Sequence, residues 1–218
     1  FCEKLCRYCG CQRVISRDRD RGTEIVEAII KEWAIYQKNL GEFSINYLHF
    51  GGGTPTFLRP VDLDTLIGTF SKSFSDDFVG AIEIDPRTCL DEHLDLLQKY
   101  GFNKVSLGIQ DFDHAVQEAI TRIQPFEMVK ELVDKLNERQ IKDINFDLIY
   151  GLPKQTLKSV TDTIHKVIKL SPSSISFYSY AHVPWKIANQ KLINEDDLAK
   201  GIDKFNLFAK ARVEFANS

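Results

Sequence analysis

Four cysteines crowd the start of the chain, in the stretch FCEKLCRYCGCQR. Cys2, Cys6 and Cys9 have the spacing C-x3-C-x2-C, and Cys11 follows two residues after the third. Three thiolates in one short loop can bind one face of an inorganic cluster and leave one metal ion open to substrate, whereas ferredoxins use four thiolates. Structural zinc normally takes four ligands in two separated pairs, and the sequence contains no second C-x2-C or H-x3-H pair. The spacing favours an iron–sulfur site over zinc and zinc over a disulfide, with Cys11 left open as a fourth ligand.

The composition of the 218-residue chain limits the classes of protein to which these cysteines can belong. The chain is 43% hydrophobic and 27% charged, with a formal net charge of −3 that argues against a general nucleic-acid binder. No apolar run approaches the roughly 20 residues that span a membrane. Five cysteines, four of them crowded, do not resemble the disulfide framework of a secreted protein. We expect a monomeric, cytoplasmic protein with a single domain over residues 1–218, which is a fragment of a longer protein.

Alternating strands and helices must position the cysteines. Short β-branched and aromatic runs predict five strands, at 45–50, 81–85, 104–109, 144–150 and 174–180. Apolar residues at helical spacing predict helices at 23–37, 61–70, 91–100, 126–139 and 156–170, and a last helix over about 195–215. This alternation indicates parallel βαβ units, hence either a doubly wound sheet or a barrel.

Polar and glycine residues at the predicted strand ends favour the barrel. They are Gly51 to Thr54, Glu83 with Asp85, Gln110 with Asp111, Asp147 with Tyr150, and Ala181 with His182. In a barrel the carboxyl ends of all strands converge on one rim, whereas an open sheet concentrates function at one switch point. The sequence therefore predicts an α/β fold, a partial (β/α)6 barrel seen from its second strand onward. A first strand before Cys2 is represented only by Phe1.

The cysteine spacing, with the aromatic Tyr8 before the third cysteine, resembles that of the radical SAM superfamily. Within it, FCEKLCRYCGC resembles the oxygen-independent coproporphyrinogen III oxidases, whereas related heme chaperones usually carry phenylalanine at the position of Cys11. The stretches HFGGGTPT, IEIDPR, LGIQDF, FDLIYGLPKQT and YSYAHVP match the same family in order and spacing. The resemblance covers essentially the whole sequence, while the family's upstream strand and C-terminal domain have no counterpart in it.

The resemblance implies cofactors and the residues that bind them. A [4Fe–4S] cluster would be held by Cys2, Cys6 and Cys9, with its fourth iron open to S-adenosylmethionine, and Cys11 would be catalytic. The family binds two S-adenosylmethionine molecules, and the implied binding positions are Tyr8, Gly52, Gly53, Thr54, Glu83, Gln110, Arg122, Asp147 and Ala181. The glycines would let backbone N–H groups approach the ligand closely. From the residues alone, Arg122 is a loop arginine and Asp85 is expected only to close its strand.

The resemblance also implies a reaction. A 5′-deoxyadenosyl radical made from S-adenosylmethionine would start the oxidative decarboxylation of coproporphyrinogen III to protoporphyrinogen IX, with electrons from a donor such as flavodoxin or ferredoxin. Two alternatives stay open. One is a heme-handling chaperone on the same barrel, against which Cys11 argues, and the other is an electron carrier with all four cysteines on a saturated cluster.

Two further expectations concern charged and titratable side chains. The run Arg13, Arg17, Arg19 and Arg21 is the candidate for binding the carboxylates of the substrate, although a solvated loop explains it equally well. His93 and His165 lie on predicted helices and are expected at the surface.

Overall fold

Five parallel strands, hydrogen-bonded in the order of the sequence, form the sheet of the protein. The computed structural model describes residues 1–217. The strands are β1 (Ile45–Phe50), β2 (Phe74–Ile84), β3 (Phe102–Gln110), β4 (Asp143–Tyr150) and β5 (Ser174–Ser179). A doubly wound sheet reverses its strand order, whereas strands that follow one another in a single direction wind as in a barrel. The predicted partial barrel is confirmed as a curled half-barrel with β1 and β5 at its edges.

The helices follow the strands as the alternation predicts. They are α1 (Asp20–Leu40), α2 (Pro60–Ser71), α3 (Asp91–Lys99), α4 (His114–Ala119), α5 (Phe126–Glu138), α6 (Leu157–Leu170) and α7 (Gly201–Ala216). The short helix α4 was not predicted, because it is too short to show a helical period; it follows its N-cap Asp113, whose side chain accepts the N–H of Val116. None of the helices in residues 1–217 combines the length and the apolar character needed to cross a membrane.

The prediction that the last helix begins near residue 195 is wrong. Glu195–Asp197 forms only a short 3-10 turn, which the side chain of Asn194 caps by accepting the N–H of Asp196. Lys200 is extended, with φ −121° and ψ 152°, so the chain cannot continue as one helix from that turn into α7.

The two faces of the sheet differ in chemistry because successive side chains point to opposite sides. The outer face packs into the apolar core, to which the sheet contributes Ile82, Ile84, Val105, Leu107, Ile109, Ile144, Phe146 and Leu148. The intervening residues on the concave face are mostly polar. In the sheet register Glu83 lies beside Ser106, Ser106 beside Asn145, and Gly108 beside Asp147. One face of the sheet therefore stabilises the fold, and the other face carries the polar side chains that can form a functional site.

His93 is fully buried, so the expectation of a surface position is wrong. Its Nδ1 accepts the backbone N–H of Leu90 (3.0 Å), and its Nε2 bonds the carbonyl O of Leu58 (2.8 Å). Burial lowers the pKa of His93. This histidine closes the first turn of α3 and ties it to the segment before α2. His165, by contrast, is exposed as expected and pairs with Glu214.

Candidate functional site

The cysteine loop, residues 1–19, has no helix or strand of its own. An isolated parallel bridge fixes its start, where Cys2 N–H donates to Val14 O (3.0 Å) and Ser16 N–H donates to Cys2 O (3.0 Å). Further along, Arg7 N–H donates to the carbonyl O of Ile120 at the end of α4 (3.0 Å). Long-range backbone hydrogen bonds thus give this irregular segment a defined path.

Two side chains that follow β5 hold the same loop from the other side. Asn189 Nδ2 donates to three carbonyl oxygens, those of Cys6 (3.1 Å), Arg7 (2.8 Å) and Cys9 (3.0 Å). Gln190 Nε2 donates to the carbonyls of Tyr8 (3.0 Å) and Ala181 (3.1 Å). The segment after β5 therefore positions the cysteine loop.

A cavity of about 230 Å³ lies between the cysteine loop and the carboxyl ends of the strands. All four loop cysteines line it. So do all but one of the residues predicted to bind cofactor, namely Tyr8, Gly52, Gly53, Thr54, Glu83, Gln110, Arg122 and Asp147. Ala181 is not among the lining residues, and its carbonyl is engaged by Gln190.

Two guanidinium groups lie next to Cys6 in this cavity. Arg87 Nη2 is 3.6 Å and Arg122 Nη1 is 3.8 Å from Cys6 Sγ. Asp85 joins them, because its Oδ2 accepts from Arg87 Nη2 (2.6 Å) and from Arg122 Nη1 (2.9 Å). Burial by itself would raise the pKa of Asp85, but Arg122 and Arg87 outweigh it and lower the pKa to about 2. Two cations against one anion leave an excess positive charge beside Cys6.

The environments of Arg122 and Asp85 differ from those that the sequence alone predicts. Arg122 is only 7% exposed, and its Nη2 donates to Gly108 O (2.8 Å). Its Nε is buried without a hydrogen-bond partner among residues 1–217. The expectation that Asp85 only closes its strand is wrong, since it joins the buried Arg122 and the partly buried Arg87 at the cavity wall.

The glycine run after β1 allows two close approaches. Gly52 has φ +103°, a conformation that glycine adopts without strain, and its N–H donates to Glu83 Oε2 (3.1 Å). Gly53 lies against the start of the chain, where an added Cβ would be 2.8 Å from Phe1 O. The run therefore brings both Glu83 and the cysteine loop close to the end of β1.

Hydrogen bonds on the concave face orient Asp147. Ser106 Oγ donates to its Oδ2 (2.8 Å), and Asn145 Nδ2 donates to its Oδ1 (2.9 Å). Asn145 Nδ2 is also 2.9 Å from Ser106 Oγ, which closes the network. Gln110 ends β3 with φ +67°, at an irregularity in the pairing with β4. The strand ends thus present fixed polar groups toward the cavity.

Tyr8 and Cys9 are half-buried between the cysteine loop and its neighbours. Tyr8 packs against a small apolar cluster that includes Val116, Ile120 and Tyr180, and burial raises its pKa. Burial also raises the pKa of the Cys9 thiol to about 11. A free thiol at Cys9 is therefore neutral at physiological pH, and metal ligation would replace its proton.

The donor set fits an iron–sulfur cluster. Within residues 1–217, no three Cys, His, Asp or Glu side chains converge as a single metal ion requires. Cysteines that each bind a different iron of a cluster need not converge on one point. The positive charge beside Cys6 complements anionic thiolates, and the unpartnered Nε of Arg122 is a buried donor for an acceptor in the cavity. A cluster with a carboxylate-bearing ligand satisfies both features.

Several residues that line the cavity were not predicted from the sequence. They are Lys4, Ile84, Arg87, Ser106, Gly108 and Tyr178. The period of two, which placed Asp85 on the same face as Glu83, could also have found Ser106 and Gly108 from Gln110, since alternate residues of a strand share a face. Arg87 carries no such signal because it lies in the turn after β2.

The arginine run does not form one patch. Arg13 lines the cavity, and its Nη1 donates to Cys11 O. Arg19 pairs with Glu3 at 2.7 Å, and the guanidinium of Arg21 lies 5.2 Å from the ring centre of Phe1. Arg17 is exposed. A role of the run in binding substrate stays a prediction.

A half-barrel with a three-cysteine loop at its rim is the core of radical SAM proteins, and the family model of the radical SAM superfamily matches residues 1–167. The chain belongs to this superfamily, which implies a [4Fe–4S] cluster and S-adenosylmethionine. More particularly, it is 41% identical to oxygen-independent coproporphyrinogen III oxidase from Pseudomonas aeruginosa, over 99% of this chain and 48% of that protein.

Two other relatives carry the same name or a closely related one. The oxygen-independent coproporphyrinogen III oxidase of Helicobacter pylori is 39% identical over 95% of this chain and 46% of its own length. The solved structure of coproporphyrinogen III oxidase from Escherichia coli, described as a radical SAM enzyme, superposes with a TM-score of 0.95 at 33% identity. That match covers 99% of this chain and 50% of that one. The chain thus spans about half the length of the curated relatives it matches.

Proposed function

We propose that this chain is the radical SAM barrel of an oxygen-independent coproporphyrinogen III oxidase. The observation that carries the proposal is the meeting of the cysteine loop with Glu83, Arg122 and Asp147 in one cavity at the strand ends. The names of relatives that share 33–41% of its residues support the particular reaction. The proposed substrate is coproporphyrinogen III, and the proposed electron source is a low-potential donor such as flavodoxin or ferredoxin.

Each cavity residue has a part in this proposal. Cys2, Cys6 and Cys9 would hold a [4Fe–4S] cluster, and when bound, the cluster and S-adenosylmethionine supply a 5′-deoxyadenosyl radical. Arg122 would bind a carboxylate of S-adenosylmethionine through its buried Nε. Further contacts to one or two S-adenosylmethionine molecules would come from Tyr8, Gly52, Gly53, Thr54, Glu83, Gln110, Asp147 and Ala181.

Carboxylates and donors in the cavity suit these contacts. Glu83 and Asp147 can accept hydrogen bonds from an ammonium group or a ribose hydroxyl, and Asp147 is already oriented by Ser106 and Asn145. In this proposal the protein binds and orients the reacting groups while the cofactors supply the radical.

Cys11 is the proposed catalytic cysteine. It lines the cavity yet is exposed, so a substrate that enters from solvent can reach it. The monomeric state and the cytoplasmic location stay predictions.

The test is an anaerobic assay of the full-length protein reconstituted with iron and sulfide. With dithionite, S-adenosylmethionine and coproporphyrinogen III, we expect 5′-deoxyadenosine and CO₂, both dependent on the substrate. Deoxyadenosine without CO₂ would keep the radical chemistry and favour the heme-handling chaperone. An intact cluster that gives no deoxyadenosine would contradict the proposal.

Replacement of Cys11 separates the oxidase from an electron carrier. In Cys11→Ser we expect the iron content and the cluster absorbance of the wild type, with CO₂ formation reduced at least about 100-fold, the scale of a lost proton-transfer group. Cys89→Ser, outside the cavity, is the matched control and should leave turnover unchanged. Loss of the cluster in Cys11→Ser alone would make Cys11 a fourth ligand and favour the carrier.

A further inference from the structure

Arg87 is a partly buried cation at the cavity wall, and hydrogen bonds fix its position. The Asp85 carboxylate holds it three times, because Oδ1 accepts the backbone N–H (3.0 Å) and Nε (2.9 Å) of Arg87 while Oδ2 accepts Nη2 (2.6 Å). The side chain of Arg87 is only 16% exposed. Because one carboxylate binds both the backbone N–H of Arg87 and the Nε/Nη2 edge of its guanidinium, the side chain is held in place beside the cavity.

This fixed cation points at one cysteine. Arg87 Nη2 lies 3.6 Å from Sγ of Cys6, which is itself 8% exposed. Water therefore screens the interaction poorly, and a guanidinium is protonated at any physiological pH. Arg122 adds a second cation 3.8 Å from the same sulfur, so Asp85 cannot neutralise both.

We propose that Arg87 is a positioning residue that sets the reduction potential of the cluster through Cys6. This inference depends on the cluster site proposed above. Reduction by a one-electron donor adds one negative charge to a cluster bound through Cys6. A permanent positive charge beside the sulfur stabilises that added charge, and hydrogen bonds to cluster sulfurs raise the potential in the same direction. Arg87 thereby makes the first electron easier to accept.

The experiment measures the potential rather than turnover. Full-length wild type, Arg87→Gln, Arg87→Lys and the control Arg139→Gln are reconstituted and titrated anaerobically with dithionite, with the reduced cluster followed by electron paramagnetic resonance. Arg139 is a matched control because it is 18% exposed and also pairs with an aspartate, Asp95, but does not line the cavity.

We expect the reduction potential of the cluster to depend on whether the side chain at position 87 carries a positive charge. In Arg87→Gln the ratio of reduced to oxidised cluster at a fixed potential should fall about tenfold, which corresponds to a shift of about −59 mV for one electron. Arg87→Lys keeps the charge and loses the fork, so its ratio should stay within about threefold of the wild type. Arg139→Gln should be unchanged.

Failure of this inference differs from failure of the proposed function. A wild-type protein that takes up no cluster would contradict the proposed function itself. If the reduction potential of the cluster is the same in the wild type and in Arg87→Gln, the proposed role of the Arg87 charge is overturned. It is also overturned if the potential falls equally in Arg87→Gln and Arg87→Lys. If Arg87→Gln does not fold, Arg87→Lys decides alone, and a drop of more than about threefold in its ratio of reduced to oxidised cluster would overturn the proposal.

Discussion

The carboxyl ends of β2 and β3 each carry a buried aspartate one residue past the strand, and the two behave in opposite ways. Asp85 is 8% exposed and Asp111 is 1% exposed, so both are withdrawn from water. Asp85 pairs with two arginines, and its pKa is lowered to about 2. Burial raises the pKa of Asp111 to about 6, because its partners are neutral donors, the backbone N–H of Asp113, Thr163 Oγ1 and Gln155 Nε2.

The comparison shows that the charge of the partners, more than depth of burial, decides the state of a buried carboxylate. At the end of β2 the partners are cations, and the group carries a fixed negative charge that organises the cavity. At the end of β3 the partners come from α6 and from the loop before it, and the group ties these elements to the sheet. Similar positions on neighbouring strands thus serve the site in one case and the scaffold in the other.

The largest effect should come from removing the charge at the end of β2. Asp85→Asn leaves the buried guanidinium of Arg122 and the partly buried one of Arg87 without their carboxylate, and the loss of one partner of a buried ion pair typically costs about 3–5 kcal/mol. We expect the free energy of unfolding of the cofactor-free protein at pH 7 to fall by about 4 kcal/mol, measured with urea. Asp111→Asn should cost less than half of this, because its partners are neutral. Equal losses of stability in the two variants would contradict the difference between Asp85 and Asp111.

The pH dependence of stability should come next. Folded Asp111 binds its proton more tightly than unfolded Asp111, so its contribution to stability is complete only below the unfolded pKa of 3.8 and is lost as the pH rises through about 6. Between pH 4 and pH 7 the wild type should lose about 2–3 kcal/mol relative to Asp111→Asn. The contribution of Asp85 to stability changes with pH in the opposite direction, since it is present above about pH 4 and is lost as the pH falls toward 2. A flat difference between wild type and Asp111→Asn over this range would contradict the raised pKa.

The smallest effect should come from one neutral donor. Thr163 Oγ1 donates to Asp111 Oδ1 (2.7 Å) and accepts the N–H of Phe112 (3.1 Å). Thr163→Val removes both bonds and should cost about 2 kcal/mol, while Thr163→Ser, which keeps the hydroxyl, should cost less. The midpoint of the pH transition assigned to Asp111 should also move upward in Thr163→Val. A midpoint that stays in place would show that Thr163 does not stabilise the charged form.

Local pattern was enough to locate all five strands and most helices, although β2 begins at Phe74 and not at 81 as predicted. The alternation of apolar and polar residues in 144–150 and 104–109 marks two strands, and the helical spacing in 126–139 marks a helix, because these periods follow from backbone geometry. His93 was predicted wrongly, since its buried partners, the backbone groups of Leu58 and Leu90, cannot be recognised in the sequence. The error at the start of α7 has a similar origin, because helical propensity does not show where a turn such as Glu195–Asp197 ends.

Local sequence patterns are sufficient to predict the alternation of strands and helices, the polar strand ends and the three-cysteine loop, because each depends on residues that are close together along the chain. The meeting of Asp85, Arg87 and Arg122 beside Cys6, and the contacts of Asn189 with the cysteine loop, are visible only in the folded protein. These contacts join residues that are distant in sequence, and the charges on them take their effect from burial. Burial is a property of the packed molecule, so no local pattern carries it.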